Sequence, residues 1–166
     1  MTAKTDFTAD EWKLVLESPM VASIAITAAA PSGLFGILKE SFASGRALLE
    51  AKSDPGANEL IKAVVADYET SEGRTIAKDG LQATLSGSKA GEIKDKAVAA
   101  LHQVAALLDG KAPADAGAFK TWLRHVSQTV AESATEGGFL GFGGVKVSEA
   151  EKATLGEISQ ALGLPA

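Results

Sequence analysis

A run of 21 residues without a charged side chain, from Ser18 to Leu38, restricts the fold more than any other feature of the sequence. It reads SPMVASIAITAAAPSGLFGIL. A helix without a charged face has no side suited to water, so residues 18–30 are predicted to form a central helix that its neighbours surround. The run is also long enough for a transmembrane helix. However, Pro31-Ser32-Gly33 interrupts it, and Ser23 and Thr27 are polar, which favours a buried core helix over a membrane span.

A helix start precedes the charge-free run. Thr8 and Glu11 have the spacing of a capping box, in which the Thr8 hydroxyl accepts from the Glu11 amide while the Glu11 carboxylate reaches back. The pattern predicts a helix from there to about Glu17. Ser18 and Pro19 then suit the cap and the first position of a new helix, because the missing amide hydrogen of proline costs nothing there. We therefore expect either a kink or a fresh helix start at this point.

Apolar residues recur with the helical period along the rest of the chain, and no segment alternates like a strand for more than a few residues. This pattern predicts further helices at about 33–52, 58–70, 71–87, 89–109, 113–136 and 148–163. Ser148 and Glu151 form a second capping box, and Gly163 is the predicted stop of the last helix. The predicted inward faces include Leu34, Ile37, Leu38, Phe42 and Leu49; Leu60, Ile61, Val64 and Val65; Ile93, Ala97, Leu101, Val104 and Leu108; Phe119, Trp122, Leu123, Val126 and Val130; and Leu155, Ile158 and Leu162.

Alanine supplies much of the 46% hydrophobic content, and alanine-rich helices can approach one another closely. The sequence therefore predicts an all-α fold, a compact alanine-rich bundle of about seven helices in one domain spanning residues 1–166. A net charge of -5 argues against a nucleic-acid partner, which normally requires a basic face. The absence of cysteine excludes disulfides, thiolate metal ligands and a cysteine nucleophile. The N-terminal residues have no apolar segment typical of a secretory signal, so we expect a cytoplasmic protein.

A glycine-rich segment, EGGFLGFGGV, extends from Glu136 to Val145. It does not match a phosphate-binding loop, because the required lysine and the preceding strand are both missing. Its large apolar residues favour a loop that folds back onto the bundle, since each is worth about 1.5–3 kcal/mol when buried. The alternative is an exposed interaction loop for a partner or a lipid surface. The residues of this predicted loop and of the similar segment PSGLFG are Phe139, Leu140, Phe142, Leu34 and Phe35.

The two glycine-containing segments, at 31–36 and 136–141, suggest an internal pseudo-repeat that relates residues 18–52 to residues 120–163. An acidic residue and glycine at 136–137, followed by Ser148 through Glu151 opening a helix, resemble the TerB-like (tellurite-resistance) helical domain family over residues 130–163. The resemblance implies a bacterial, stress-associated or scaffolding helical protein. Two departures bear on it: residues 138–145 lengthen the turn, and Ala30-Pro31 stands where the first unit would have its acidic residue.

Chemical motifs are few. His102 and His125 show neither the spacing of a di-iron bundle nor that of a zinc protease, and they are interpreted as structural residues at helix edges. Asp67, Tyr68 and Glu69 are adjacent in sequence, so on a helix they do not face one site and acid–base pairing is poorly supported. No nucleophile with a base at readable spacing is present, and enzymatic activity has no motif to support it.

Three functional hypotheses remain. The first is a non-enzymatic cytoplasmic helical protein, TerB-like and stress-associated, that acts through protein–protein or homo-oligomeric contacts. The second is a bundle that binds a small ligand or a divalent cation, with Glu136, Glu149 and Glu151 as the candidate metal ligands; no other cofactor is expected. The third is peripheral attachment to a membrane surface through the two glycine-rich segments, which the acidic residues near Glu136 disfavour on anionic lipid.

Overall fold

The computed structural model describes residues 4–29, 45, 47–135 and 147–165, and within these ranges the chain is helical, without strands. This confirms the predicted all-α bundle of about seven helices. The predicted loop residues Leu34, Phe35, Phe139, Leu140 and Phe142 lie outside the described residues. Short 3-10 turns occur at Lys4–Asp6 and Ala90–Glu92, and the α-helices are α1 (Ala9–Ala29), α2 (described at 47–53), α3 (Glu59–Glu69), α4 (Ser71–Leu85), α5 (Ile93–Lys111), α6 (Pro113–Thr135) and α7 (Glu149–Ala161).

Helix α1 is the centre of the bundle, because it packs against α3, α4, α5, α6 and α7. Val15, Leu16, Ala22 and Ala25 on this helix have no solvent exposure. Among the described residues, α1 is the one helix long and apolar enough to cross a membrane, and 67% of its most apolar window is buried within the bundle. The predicted central helix is therefore confirmed for the described part of residues 18–30.

The expected fresh helix start at Pro19 is wrong, since α1 is one continuous helix with Pro19 inside it, and the alternative of a kink stays a prediction. A proline within a helix leaves the carbonyl four residues earlier without its amide donor. Here that carbonyl belongs to Val15, and the Ser18 hydroxyl donates to it at 2.7 Å. Ser18 is therefore not a cap, because its side chain replaces the hydrogen bond that Pro19 removes.

Other hydroxyls inside the bundle also donate to main-chain carbonyls. Ser23 donates to the Pro19 carbonyl at 2.9 Å and Thr27 to the Ser23 carbonyl at 3.2 Å. From α6, the fully buried Ser127 hydroxyl lies 3.2 Å from the carbonyl of Ala22. Hydroxyls on a central helix thus remain paired without water, as buried polar groups require.

Both predicted capping boxes are present. The Thr8 amide donates to the Glu11 carboxylate at 2.8 Å, and the Glu11 amide donates back to the Thr8 hydroxyl at 3.3 Å. Ser148 and Glu151 make the same reciprocal pair at the start of α7. Helix α7 ends just before Gly163, the predicted stop. Gly163 adopts a φ of 68°, a conformation that favours glycine.

The predicted inward faces of α3, α5, α6 and α7 are buried, with Ile93 half-buried at the start of α5. Leu49 on α2 is the exception: it was predicted to face inward but is 65% exposed. Helix α2 buries Ala47 and Ala51 instead, which are one turn apart. A residue midway between two positions one turn apart lies on the opposite side of a helix, and this places Leu49 in solvent.

Candidate functional site

A groove of about 510 Å³ lies between α2, the turn at residues 54–58 and α6. Its walls carry small residues on all three elements, where a larger side chain would fill the space. Ala51 comes from α2, Ala57 from the turn, and Gly117 and Ala118 from the first turns of α6. A concave, mostly apolar space with a few polar groups is typical of a small-ligand site. We call this space the α2–α6 groove.

The turn that forms one wall of the groove is fixed by hydrogen bonds. The Asp54 carboxylate accepts from the Gly56 amide at 2.8 Å, which closes the turn after α2. Asn58 caps α3 by accepting from the Ile61 amide at 2.9 Å. The Asn58 side chain also donates to the carbonyl of Asp115 at 3.0 Å, which ties the turn to the beginning of α6. The two walls are therefore held in a fixed relation, as a pre-formed site requires.

Trp122 on α6 lines the groove and is 8% exposed. Its ring packs edge-on against Phe119, with centroids 5.3 Å apart. The indole nitrogen of Trp122 is buried, and among the described residues it donates no hydrogen bond. A buried donor without an acceptor costs about 1–3 kcal/mol. The other tryptophan shows the usual arrangement, since Trp12 donates from its indole nitrogen to Asp67 at 2.8 Å.

The mouth of the groove carries polar and acidic side chains. His125 on α6 approaches Glu50 on α2, with Nε2 and Oε2 3.4 Å apart and both side chains about half exposed. Asp54 is exposed at the adjoining edge. Among the described lining residues there is no lysine or arginine. The groove therefore combines a mostly apolar interior with carboxylates at its rim.

Of the predicted metal ligands, Glu149 and Glu151 lie on α7 and do not line the groove. Glu151 is 3% exposed, and its carboxylate accepts from the amide and the hydroxyl of Ser148 at 2.8 and 2.7 Å. Glu149 is exposed and pairs with Lys152 at 2.7 Å. Glu136 lies outside the described residues. Within the described ranges, no three histidine, aspartate or glutamate side chains cluster in a way that could hold a metal ion.

The other residues singled out from the sequence are dispersed. His102 is exposed on α5, whereas His125 lies at the mouth of the groove. The three adjacent residues of α3 point to separate partners, as expected. Asp67 binds Trp12, the Tyr68 hydroxyl donates to the Leu16 carbonyl at 2.7 Å, and Glu69 pairs with Lys52.

A buried carboxylate on α1 has no counterpart in the sequence predictions. Glu17 is 2% exposed and accepts from the Thr84 hydroxyl of α4 at 2.7 Å. Burial raises the pKa of Glu17, while the Thr84 hydrogen bond and the charge of Lys13 act in the opposite direction. The pKa of Tyr68 is also raised, first by burial and then by the negative charge of Glu17. The sequence pattern ended the first helix near Glu17, whereas the continuous helix through Pro19 carries Glu17 into the core.

No protein-family model matches the chain, and no curated protein or solved structure gives a significant match to it.

Proposed function

We propose that the protein is a non-enzymatic helical binding protein that holds a small, mainly apolar ligand in the α2–α6 groove. The observation that carries this proposal is the α2–α6 groove itself, a space of about 510 Å³ whose walls carry small residues on all three elements.

The size of the groove agrees with this proposal. Ligand sites commonly enclose about 300–1,000 Å³, and the groove measures about 510 Å³. Alanine and glycine walls give apolar contact without filling the space. The hydrogen-bonded turn at residues 54–58 keeps the walls in place before a ligand arrives, which lowers the entropy lost on binding.

The test is a titration of ¹⁵N-labelled protein with acetophenone, an apolar ring that carries one carbonyl acceptor. The two tryptophans give two indole N–H resonances, and the one that persists in Trp12→Phe belongs to Trp122. We expect the Trp122 resonance to move as the acetophenone ring packs beside its indole, while that of Trp12 stays still because Trp12 does not line the groove. An unchanged Trp122 resonance at the solubility limit of acetophenone would contradict the proposal.

A matched pair of variants locates the binding. Ala118→Leu places a branched side chain in the groove and should abolish the shift of the Trp122 resonance. Ala114→Leu makes the same change at an exposed position of α6 that does not line the groove, and it should bind acetophenone like the wild type. Equal loss in both variants would mean that the effect comes from α6 as a whole.

A second candidate function is contact with a protein partner or with another copy of the chain, as the TerB-like resemblance implies; that resemblance stays a prediction. Leu49 favours this candidate, because it is the one large hydrophobic residue in the described part of the chain that is exposed, at 65%. Light scattering after size exclusion tests it with Leu49→Lys. A dimer in the wild type that Leu49→Lys converts to a monomer would support self-association, and a wild-type monomer at high concentration would contradict it.

A further inference from the structure

We propose that a proton on Glu17 controls how often α4 opens from the rest of the bundle. Helix α4 stays closed while the buried carboxyl is protonated and opens more often once the carboxyl is ionised. The device is separate from the proposed ligand site, because no residue of α4 lines the α2–α6 groove. It rests on three features: the weak anchoring of α4, the carboxylate that α4 covers, and the charges around that carboxylate.

Helix α4 has little apolar surface that holds it in the bundle. Its buried residues are Gly73, Ala77 and Gly80, none of which has a side chain larger than a methyl group. The larger side chains of Ile76 and Leu81 are only half-buried. Helices α1, α3, α5, α6 and α7, in contrast, each bury large apolar side chains. Segments with few buried apolar contacts are those that open locally in a folded protein.

Helix α4 covers the Glu17 carboxylate of α1. Glu17 is 2% exposed, and the Thr84 hydroxyl of α4 donates to its Oε1 at 2.7 Å. The other carboxylate oxygen, Oε2, lies against Gly80, so close that an added Cβ would be 2.1 Å away. Movement of α4 away from α1 therefore admits water to the carboxylate and breaks the hydrogen bond from Thr84.

The groups around Glu17 do not offset its burial. Lys13, one turn earlier on α1, is the one charged side chain of the described residues that acts on this carboxyl, and none on α4, α5, α6 or α7 does. Burial outweighs the Lys13 charge and the Thr84 hydrogen bond, so the pKa of Glu17 is raised. Helix α3 presents the Tyr68 phenol, which stays uncharged because burial and then Glu17 raise its pKa. An ionised Glu17 is therefore more stable in the open, hydrated state.

The direction of the pH dependence follows from these states. In the open state Glu17 is hydrated and titrates near its ordinary pKa of 4.5, whereas in the closed state it keeps its proton up to the raised pKa. Opening between these two values releases a proton. The opening constant of α4 should therefore be flat below pH 4.5, rise by up to about tenfold per pH unit within the window, and level off above the raised pKa.

Backbone amide exchange measures the opening directly. Exchange in the ¹⁵N-labelled full-length protein is followed by NMR from about pH 4 to about pH 8, and each rate is divided by its intrinsic rate to give an opening constant. We expect the amides of Ala77 and Leu81 in α4 to be less protected than those of Leu155 and Ile158 in α7. The α4 amides should gain protection as the pH falls to 4.5. Low urea concentrations should speed exchange in α7 but not in α4, because a local opening exposes little surface.

Glu17→Gln tests the source of the pH dependence. The glutamine side-chain oxygen can still accept from the Thr84 hydroxyl, but it cannot become charged. Protection of the α4 amides in this variant should not change with pH across the window. Asp79→Asn is the matched control, because it removes a carboxylate from an exposed position of the same helix, and it should keep the pH dependence of the wild type.

Three results would overturn the proposal. Equal protection and equal urea dependence in α4 and α7 would mean that α4 opens only when the whole chain unfolds. A pH dependence that persists in Glu17→Gln, or that Asp79→Asn removes equally, would mean that Glu17 does not control the opening. The third test needs no variant: the midpoint of a ¹³C titration of the wild-type Glu17 carboxyl should coincide with the pH at which the α4 opening constant levels off, and a midpoint at the ordinary value of 4.5 would refute the device.

Discussion

Replacing Gly80 by alanine tests how firmly the buried Glu17 carboxylate is held between α1 and α4. A methyl carbon at Gly80 would lie 2.1 Å from Glu17 Oε2, 3.1 Å from its Cδ and 3.2 Å from its Cβ. Rotating the carboxylate alone cannot relieve all three contacts, and such a rotation would strain the hydrogen bond from Thr84. The new methyl group must therefore push α1 and α4 apart or displace the carboxylate.

The magnitude follows from two opposing terms. Replacing glycine by alanine inside a helix favours folding by about 1 kcal/mol. Overpacking a filled core costs about 1–3 kcal/mol. Gly80→Ala should therefore destabilise the protein by about 0–2 kcal/mol, the difference between those terms. Gly156→Ala is the matched control, because Gly156 lies inside α7 with no atom within 4 Å of its added methyl, and it should stabilise by about 1 kcal/mol.

The assay is urea unfolding followed by far-ultraviolet circular dichroism, in wild-type and Glu17→Ala backgrounds. Glu17→Ala removes Oε2 and Cδ and leaves only Cβ, 3.2 Å from the new methyl, a contact that a shift of a few tenths of an ångström relieves. Gly80→Ala should therefore change sign and stabilise that background. The coupling free energy between the two sites should then be about 1–3 kcal/mol. If Gly80→Ala stabilises the wild type as much as Gly156→Ala does, Glu17 is not packed against α4 and the reasoning is refuted.

Three other substitutions test polar contacts and close packing within the helices. Ser18→Ala should lower the free energy of unfolding by about 1–3 kcal/mol, because it leaves the buried Val15 carbonyl without a donor. The control Ser133→Ala should cost less, since the Thr129 carbonyl that Ser133 contacts has its own main-chain donor. Equal losses in urea unfolding would contradict the role of Ser18. Glu17→Gln should stabilise the protein at neutral pH, because burial raises the folded-state pKa of Glu17 and so disfavours its charged form. The stability advantage of glutamine should shrink as pH falls through that raised pKa and vanish below the ordinary value of 4.5. An advantage in urea unfolding that does not vary with pH would contradict this. Gly73→Ala should lower the free energy of unfolding more than Gly80→Ala does. Its methyl would lie 2.1 Å from the main-chain oxygen of Asp67, a contact that side-chain rotation cannot relieve. A smaller loss for Gly73→Ala in urea unfolding would contradict this prediction.

Features of the fold that depend on residues close together in the sequence were predictable. Capping boxes join residues three positions apart, so Thr8 with Glu11 and Ser148 with Glu151 could be identified without coordinates. The central position of residues 18–29 of α1 followed from the lack of charge in that part of the helix, because a helix needs a polar face to lie at the surface. These signals are local or belong to one helix.

The signals that failed have two structural interpretations. A serine before a proline suits a helix start, but the same serine can also donate to the carbonyl that the proline leaves unpaired. The sequence does not distinguish these roles at Ser18, and the coordinates assign the second. Placing α1 in one piece then buries Glu17, which a helix ending at that residue would have left exposed.

The α2–α6 groove was not predictable, because it is a property of three elements that meet. Trp122 was correctly predicted to face the core, yet its spacing says nothing about whether an acceptor lies opposite its indole nitrogen. The alanines that let helices approach closely elsewhere produce the opposite result here. Where small residues line every wall, and the turn at 54–58 is fixed to α6 by Asn58, the walls cannot close and the space remains open. The same alanine-rich composition thus accounts for both the tight core around α1 and the groove beside α6.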